Sequence, residues 1–225
     1  QRALRECKPT HAVVIFEGRE PNWRHLLYRD YKSNHKPMPA ALRDALPAYR
    51  DAFVELGVTS FEMPKVEADD VIGTLAVKIA EAGSQAVILS TDKVFLQLLS
   101  DKILVRDHFK QSYLDHAYVE QRFGVTPEKF VDFLALTGDN TNSIRGVPGI
   151  GPKTAAKLIE DFGSLDEILA AAESAKIDDH APVLSMKMRD RFVDYSEDAR
   201  QAQSLVRLQT NLVLGLNLKA LRYKF

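Results

Sequence analysis

The chain has 225 residues, of which 45% are hydrophobic and 27% charged, and its formal net charge is −1. This ordinary globular composition excludes a disordered chain, and no apolar run approaches the roughly 18 residues that a membrane helix needs. Its one cysteine, Cys7, excludes an internal disulfide, so we expect a cytoplasmic protein without membrane association.

The first half of the chain alternates short apolar runs with helical patterns. Buried strands are predicted, from β-branched apolar runs, at His11–Phe16, Val58–Met63, Ala86–Leu89 and Ile103–Val105. Helical spacing predicts helices over 40–56 and 68–82, each followed by a glycine. Strands and helices that alternate at these lengths predict an α/β fold with a mostly parallel central sheet over residues 1–114.

A long polar segment from Gly18 to Pro39 interrupts this alternation. We expect a functional loop or an irregular helical arm there, because loops of this length are uncommon in compact domains. Between Asn22 and Lys36 the segment is basic, with six cationic or titratable side chains against the single acid Asp30. These are Arg24, His25, Arg29, Lys32, His35 and Lys36.

The second half of the chain, residues 115–225, has a different pattern. From Asp115 to Leu208 nearly everything has helical spacing, and a segment rich in glycine and proline breaks it at Gly146 to Pro152. The short apolar end, from Leu212 to Leu221, is expected to return to the sheet. We therefore expect an α/β part followed by a helical part.

Three carboxylates in four residues, Glu67, Asp69 and Asp70, open the helix predicted over 68–82. Acids in a first helical turn commonly serve as caps and offset the helix dipole. A divalent cation would offset their mutual repulsion further, because Mg²⁺ prefers oxygen ligands of this kind. On these residues alone, capping and a metal site are equally supported.

Two further acids are expected at the same edge of the sheet. Asp92 follows the strand that ends at Leu89, and Glu17 follows the strand that ends at Phe16. An acid after a strand is more often a turn or cap residue than a ligand. However, the carboxyl ends of parallel strands are where such sheets place their ligands, so the combined set favours a metal site.

The glycine-rich break reads Gly146-Val147-Pro148-Gly149-Ile150-Gly151-Pro152-Lys153-Thr154. Glycines permit a tight turn, and Pro152 suits the first turn of a helix whose free N–H groups bind anions. This is not the Walker spacing, because Val147 stands where that motif needs glycine. A plain helix–helix turn is possible, but the motif favours a helix-hairpin-helix that holds DNA phosphates without reading sequence.

Taken together, these motifs resemble the 5′ nuclease (flap endonuclease) family, which includes the N-terminal domain of bacterial DNA polymerase I. The resemblance extends from His11 to about Leu208 and is closest to a branch of stand-alone bacterial members. The matching segments are NWRHLLYRDYK (22–32), EADD (67–70), STDK with LQLLSD (90–101), FLALTGD (133–139) and GVPGIGPKTA (146–155). The family implies a PIN-like nuclease core followed by a helix-3-turn-helix region.

The resemblance also implies Mg²⁺-dependent hydrolysis of DNA phosphodiesters at junctions between single and double strands, such as 5′ flaps, by a monomer. Metal ligands would be Glu67, Asp69, Asp70 and Asp92, together with Glu17. Arg24, Tyr31 and Lys32 match the basic arm near the scissile phosphate, where Lys32 has a catalytic role. Gly149, Ile150, Gly151, Pro152, Lys153 and Thr154 match the segment that contacts duplex phosphates. In the stand-alone branch a K⁺ ion lies beside this segment, held by main-chain carbonyls that would here be those of Leu136, Thr137, Arg145, Val147 and Ile150.

The chain departs from the family pattern mainly at the second metal site. Val94 and Asn142 stand where the family has aspartates, Glu17 stands where Asp is usual, and His35 replaces an arginine. The family also begins with a strand that carries a metal-binding Asp, and this chain starts after that strand. These departures keep a rival hypothesis open, a DNA-junction binder with weak or no catalysis. A third hypothesis, a PIN-like ribonuclease, shares the acids but leaves the glycine-rich segment unexplained.

Overall fold

This computed structural model describes residues 1–18, 20–174 and 184–223. Within them the α-helices are α1 (Arg2–Cys7), α2 (Trp23–Leu27), α3 (Ala40–Glu55), α4 (Ala68–Glu81), α5 (His116–Phe123), α6 (Phe130–Thr137), α7 (Pro152–Phe162), α8 (Leu165–Glu173), α9 (Met186–Asp194) and α10 (Ser196–Val206). The strands are β1 (Val13–Phe16), β2 (Thr59–Glu62), β3 (Ala86–Leu89), β4 (Ile103–Asp107), β5 (Ser112–Leu114), β6 (Gly138–Asp139) and β7 (Ile144–Arg145). Short 3₁₀ helices lie at Lys93–Leu98, Pro127–Lys129, Asn140–Asn142 and Leu218–Leu221.

The expected strands of the first half are present, and their main pairings are parallel. β1 pairs with β2 in register Val13 to Thr59, and β3 pairs with β4 in register Ala86 to Ile103. β5 extends the second pair as an antiparallel edge strand. The α/β architecture predicted from the alternation of apolar runs is therefore confirmed.

The sheet differs from the expectation in one respect, because it consists of two separate parts. Among the described residues β1 does not pair with β3, and α4 packs against both parts. The residues that precede β1 form α1, a helix that the sequence analysis did not predict. Its Glu6 contacts Arg2 within the helix and Arg106 on β4.

The second half is helical, as predicted, and contains most of the buried core. Side chains of α6 and α10 are central to this core, and Phe123, Phe130 and Phe133 form an aromatic cluster with centroid distances of 4.9 to 5.8 Å. Helix boundaries follow ordinary capping: Asp115 caps α5, which ends at Gly124 with a φ of 74°. The β6–β7 hairpin before the glycine-rich segment was not predicted.

The end of the chain returns to the α/β part, as expected. Ala12 donates a backbone hydrogen bond to Leu221 over 2.9 Å, and Tyr223 donates one to Thr10 over 2.9 Å. The contact is a single bridge between His11 and Arg222, not a full strand. No helix in the described part of the chain has the length and apolar character needed to cross a bilayer.

Candidate functional site

The start of α4 brings the predicted acids of three chain segments to one edge of the α/β part. Glu67 occupies the N-cap position of α4, but its side chain does not cap the helix. Instead, the Glu17 carboxylate accepts the Ala68 backbone N–H at 3.1 Å. Glu17, which follows β1, is therefore the acid that caps the first turn of α4. The Glu67 side chain remains available for other partners.

Glu67 is buried and surrounded by donors from the basic arm. Tyr31 donates its hydroxyl to both carboxylate oxygens, at 2.9 and 2.8 Å, and Lys32 Nζ lies 2.5 Å from Oε1. Arg24 Nη1 lies 2.9 Å from Oε2. Burial by itself would raise the pKa of Glu67, but the charges of Lys32 and Arg24 hold it below its usual range.

Asp70 and Arg24 form a fully buried ion pair, with side-chain exposures of 0% and 2%. The guanidinium is bidentate to the carboxylate, at 2.7 and 2.8 Å, and its other N–H groups reach Glu67 and the backbone oxygens of Leu205 and Arg207. Asp70 also accepts hydrogen bonds from Trp23 Nε1 and from the Gln209 backbone. Both side chains are saturated, so this geometry supports a positioning role for them in place of the expected metal and DNA contacts.

Tyr31 was expected to contact DNA, but its side chain is only 5% exposed. Its hydroxyl is engaged by Glu67, and burial together with the Glu67 charge raises the pKa of Tyr31. The structure thus places Tyr31 behind Glu67, where it orients that carboxylate. Of the arm residues predicted to approach DNA, Lys32 keeps a partly exposed ammonium group.

Asp69 and Asp92, like Glu17, make no ion pair with a cationic side chain among the described residues. Asp92 Oδ1 caps the 3₁₀ helix that starts at Lys93, through a 2.8 Å bond from the Val94 backbone. Burial and repulsion by Asp92 and Glu67 raise the pKa of Asp69 to about 7. Burial also raises the pKa of Asp92. An uncompensated pair of neighbouring carboxylates is an arrangement that a cation would stabilise.

The residues of the expected second metal site are arranged differently. Asp139 is 3% exposed, and Lys93 Nζ lies 3.0 Å from its Oδ1. Asn142 donates its side-chain amide to Asp139 Oδ2 at 2.7 Å. Val94 is buried in the core. The acid that the sequence retains at this site therefore already has internal partners.

The donor set fits a magnesium ion with a small number of protein ligands. In the described ranges, no three Asp, Glu, His or Cys side chains converge closely enough to hold a metal ion. Mg²⁺, however, usually keeps several waters and binds through one or two carboxylates plus substrate phosphates. Asp69 and Asp92 supply such a pair, and Glu17 lies close enough to influence both Asp69 and Lys32.

The glycine-rich segment forms an exposed turn held by two buried anchors, Val147 and Ile150. Gly149 has a φ of 75°, a conformation that residues with a Cβ rarely adopt, and Gly151 is the N-cap of α7. Pro152 occupies the first turn, and the Lys153 side chain is exposed. The free N–H groups at this end of α7, including that of Thr154, together with Lys153, make a candidate anion site.

The main-chain carbonyls expected to hold K⁺ lie where α6 ends against this turn. Leu136 accepts the Val147 N–H at 2.9 Å, and Val147 accepts the Ile150 N–H at 3.1 Å. A Cβ on Gly146 would lie 2.4 Å from the Leu136 oxygen, so only glycine permits this close approach. The carboxyl end of a helix favours a cation, and each carbonyl retains a second lone pair. Thr137 precedes β6 and Arg145 on β7 is paired with Gly138, and these two residues complete the expected set.

The sequence analysis did not identify Arg191 as a candidate binding residue. Its guanidinium on α9 lies against the turn, where a Cβ on Gly149 would come within 2.9 Å of Nη1. Arg191 has no ion-pair partner in the part of the chain that the structure describes. Its proximity to Gly149 depends on the packing of α9, 42 positions along the chain, so no local pattern could have indicated it.

Comparison with known families divides the chain into two matching regions. Residues 1–124 match the 5′-3′ exonuclease N-terminal resolvase-like domain, and residues 125–225 match the 5′-3′ exonuclease C-terminal SAM fold. Together these matches cover the whole chain.

Individual proteins show the same relationship. The chain is 44% identical over 223 residues to flap endonuclease Xni of Aeromonas salmonicida (strain A449), and the match covers 99% of this chain and 81% of that protein. Its fold is similar to the T5 D15 protein co-crystallised with metal ions, with a TM-score of 0.77 and 23% identity over 93% of this chain and 80% of the other. It is also similar to the T5 D15 flap endonuclease in a pseudo-enzyme-product complex with DNA and metal ions, with a TM-score of 0.75, 23% identity and coverage of 93% and 78%.

Proposed function

The chain belongs to the 5′-3′ exonuclease family, and from this premise we propose that it is a structure-specific 5′ flap endonuclease. It hydrolyses DNA phosphodiesters at junctions between single and double strands, with Mg²⁺ and without base preference. The α/β part, residues 1–114, carries the chemistry, and the helical part, residues 115–225, holds duplex DNA. The names of its relatives support the substrate class.

The observation that carries the proposal is the open pair of carboxylates, Asp69 and Asp92, beside the ammonium of Lys32. Glu67, Asp70 and Asp139 have internal cations, whereas this pair makes no ion pair among the described side chains. Asp69 and Asp92 would hold Mg²⁺, with Glu17 close by. When bound, the ion supplies charge stabilisation to the scissile phosphate and lowers the pKa of its bound water.

The remaining residues of the site position these groups. Arg24 and Tyr31 fix Glu67, and Glu67 in turn holds Lys32 Nζ at the rim of the site. There the ammonium can bind a non-bridging phosphate oxygen and orient the backbone of the substrate. Burial tends to lower the pKa of Lys32, but the Glu67 charge raises it, so this group stays cationic at neutral pH.

The turn at Gly149 to Thr154 is proposed to hold the duplex beside the junction. Backbone N–H groups and Lys153 contact phosphates, which position DNA but carry no sequence information. A K⁺ ion on the carbonyls of Leu136, Thr137, Arg145, Val147 and Ile150 would support the turn from the α6 side. No helix of the described residues presents an evident base-reading face, so cleavage is expected to follow the position of the junction and not its sequence.

Cleavage of a 5′-flap DNA in Mg²⁺ and K⁺ tests the proposal, with the Asp69→Ala variant as the comparison. We expect the chain to cut near the junction and the variant to lose on the order of 10²-fold or more in rate, while its DNA affinity stays unchanged. Flap binding without cleavage in either protein would contradict the proposal. That result would favour the DNA-junction binder, in which internal cations have replaced the metal at Glu67 and Asp139.

Replacing Lys153 by alanine is expected to weaken DNA binding equally for all sequences. Removal of one phosphate contact should reduce the slope of log K against log salt concentration by about 0.9. Fluorescence anisotropy titrations of two unrelated duplexes between low and moderate salt would measure this slope. Lys157→Ala is the matched control, since that lysine is already paired with Glu160 and Asp161. An unchanged slope in Lys153→Ala would remove the turn from the DNA interface.

A further inference from the structure

The basic arm is attached to the β6–β7 turn as well as to the acids. The turn consists of residues 140–143, which we call the anchoring turn. Lys32 donates its backbone N–H to the Asn142 oxygen at 2.9 Å, and Asn34 donates its side-chain amide to the Asn140 oxygen at 2.8 Å. His35 Nε2 lies 2.8 Å from the Thr141 oxygen. Three consecutive carbonyls of one turn are thus in contact with three residues of the arm.

Asn142 joins this attachment to the interior. Its side chain is 9% exposed and donates to Asp139 Oδ2 at 2.7 Å, while its main-chain oxygen accepts from Lys32. Asp139 is held on its other oxygen by Lys93, at 3.0 Å. An aspartate at position 142 could not donate to Asp139 and would bring a second negative charge to it. The asparagine therefore makes a bond that the family's usual residue could not make.

The backbone of Lys32 shows that its position is imposed by these contacts. Its φ is 54°, in the left-handed region that side chains with a Cβ seldom adopt. Such a conformation persists only where the surrounding structure fixes it. For Lys32 the fixing contacts are the Asn142 oxygen on its N–H and Glu67 on its ammonium, which belong to different halves of the chain.

We propose that Asn142 is a positioning residue, and that through the anchoring turn it fixes the arm so that the Lys32 ammonium lies beside the open carboxylates. This inference rests on the proposed function for its catalytic consequence, but the attachment itself does not depend on it. The same turn leads through β7 into the phosphate-binding segment that begins at Gly146. Asn142 therefore lies between the arm that carries Lys32, which is expected to act on DNA, and the glycine-rich segment, which is expected to hold it.

Limited digestion with trypsin measures the attachment without any need for nuclease activity. The arm contains the trypsin sites Arg29 and Lys32, whereas Pro37 blocks cleavage after Lys36, and cleavage at each site can be followed by mass spectrometry. We expect Asn142→Ala, Asn142→Asp and Asn34→Ala to be cut in the arm about fivefold faster than the unchanged protein or more. Asn34→Ala loses its own bond to the anchoring turn, and the Asn142 variants lose the bond to Asp139 that holds this turn in place. Asn140→Ala is the matched control, since Asn140 takes part through its main-chain oxygen.

Steady-state cleavage of a 5′ flap then tests the positioning role. A displacement of Lys32 by about 1 Å is expected to lower kcat by on the order of tenfold to a hundredfold in the Asn142 variants, while KM changes by less than about threefold. Asn140→Ala should retain both parameters. If the Asn142 substitutions only impaired folding, fewer molecules would be active. In the folded molecules the arm would then resist trypsin as well as it does in Asn140→Ala.

Two results would overturn the inference. One is arm digestion in Asn142→Ala and Asn34→Ala at the rate of Asn140→Ala. The other is a loosened arm with an unchanged kcat. Should an Asn142 variant fold poorly, Asn34→Ala decides the attachment, because Asn34 is exposed and outside the core. If the unchanged protein cleaves no flap, only the proposed function fails, and the digestion still decides whether Asn142 holds the arm.

Discussion

Replacement of Asp69 by asparagine is expected to stabilise the metal-free protein at pH 8, by about 2–4 kcal/mol. The pKa of this half-buried carboxyl is raised to about 7 by burial and by the charges of Asp92 and Glu67. In the unfolded chain the same group ionises near its ordinary value of 3.8. Above both values the folded protein must hold an unfavourable charge, and asparagine removes that charge without changing the shape of the side chain.

The pH dependence of this gain follows from the direction of the shift. Between the unfolded and folded pKa values the folded state binds the extra proton, so the free energy of unfolding falls as the pH rises from about 4 to 7. The Asp69→Asn gain should therefore be largest above pH 7 and shrink as the pH falls towards 5. Urea unfolding of both proteins at pH 5 and pH 8 measures it, with Asp51→Asn, an exposed site on α3, as the charge-matched control.

Adding Mg²⁺ should reverse the order of stability. A ligand that binds only the folded state adds about 4.1 kcal/mol at a thousand times its Kd, and the variant lacks one of its ligands. The unchanged protein should therefore gain stability in Mg²⁺, whereas Asp69→Asn should gain little. Equal stabilisation of both proteins by Mg²⁺ would show that Asp69 does not bind the ion. A variant no more stable than the unchanged protein at pH 8 would show that the carboxylate is not destabilising.

Replacement of Arg24 by alanine is expected to lower the free energy of unfolding by about 3–5 kcal/mol, because it leaves the buried carboxylate of Asp70 without its cation and leaves Glu67 with Lys32 alone. The guanidinium also donates to the backbone oxygens of Leu205 and Arg207. Differential scanning calorimetry at pH 7.5 would detect the loss as a large fall in Tm. Arg29→Ala, an exposed arginine of the same arm, should change the free energy by less than about 0.5 kcal/mol.

A double variant separates the charge effect from the loss of packing. Arg24→Ala with Asp70→Asn removes the stranded charge of Asp70 and should recover part of the stability. The Glu67 contribution has a defined pH dependence, because its pKa lies below the unfolded value, so it is present at neutral pH and lost as the pH falls through the lowered pKa. A drop in stability no larger than that of Arg29→Ala would contradict the assignment of Arg24 to the buried network.

The sequence predicted the main strands and helices and the clustering of acids at one edge of the α/β part. It did not predict which of these acids are paired with internal cations. Apolar runs and helical spacing located β1 to β4, α3 and α4, because those signals are local. Arg24 and Tyr31 stood in a basic, polar segment that indicated an exposed arm. Only the fold shows that both side chains turn inward to Glu67, 43 and 36 positions away. Local composition cannot distinguish a cation that faces solvent from one that neutralises a buried acid.

The same limit applies to Asn142. From the sequence it is the loss of an aspartate, and that loss indicated a weakened site. In the fold its amide has a specific partner in Asp139, and its carbonyl has one in the arm, 110 positions away. Substitution patterns report what a residue no longer does. Three-dimensional contacts are needed to show what it does instead.

The network around Asp70 also has a consequence for the order in which the protein folds. Its donors come from residues 23–24 and from residue 209, and the guanidinium that neutralises it is held by carbonyls at 205 and 207. Contacts between such distant parts of a chain form late, because the intervening loop must close first. A nascent chain that has not yet reached residue 209 would have the α4 acids but not the backbone groups that complete this network. Assembly of the acidic edge should therefore wait until the segment up to residue 209 has been synthesised, so that shorter nascent chains lack the complete network.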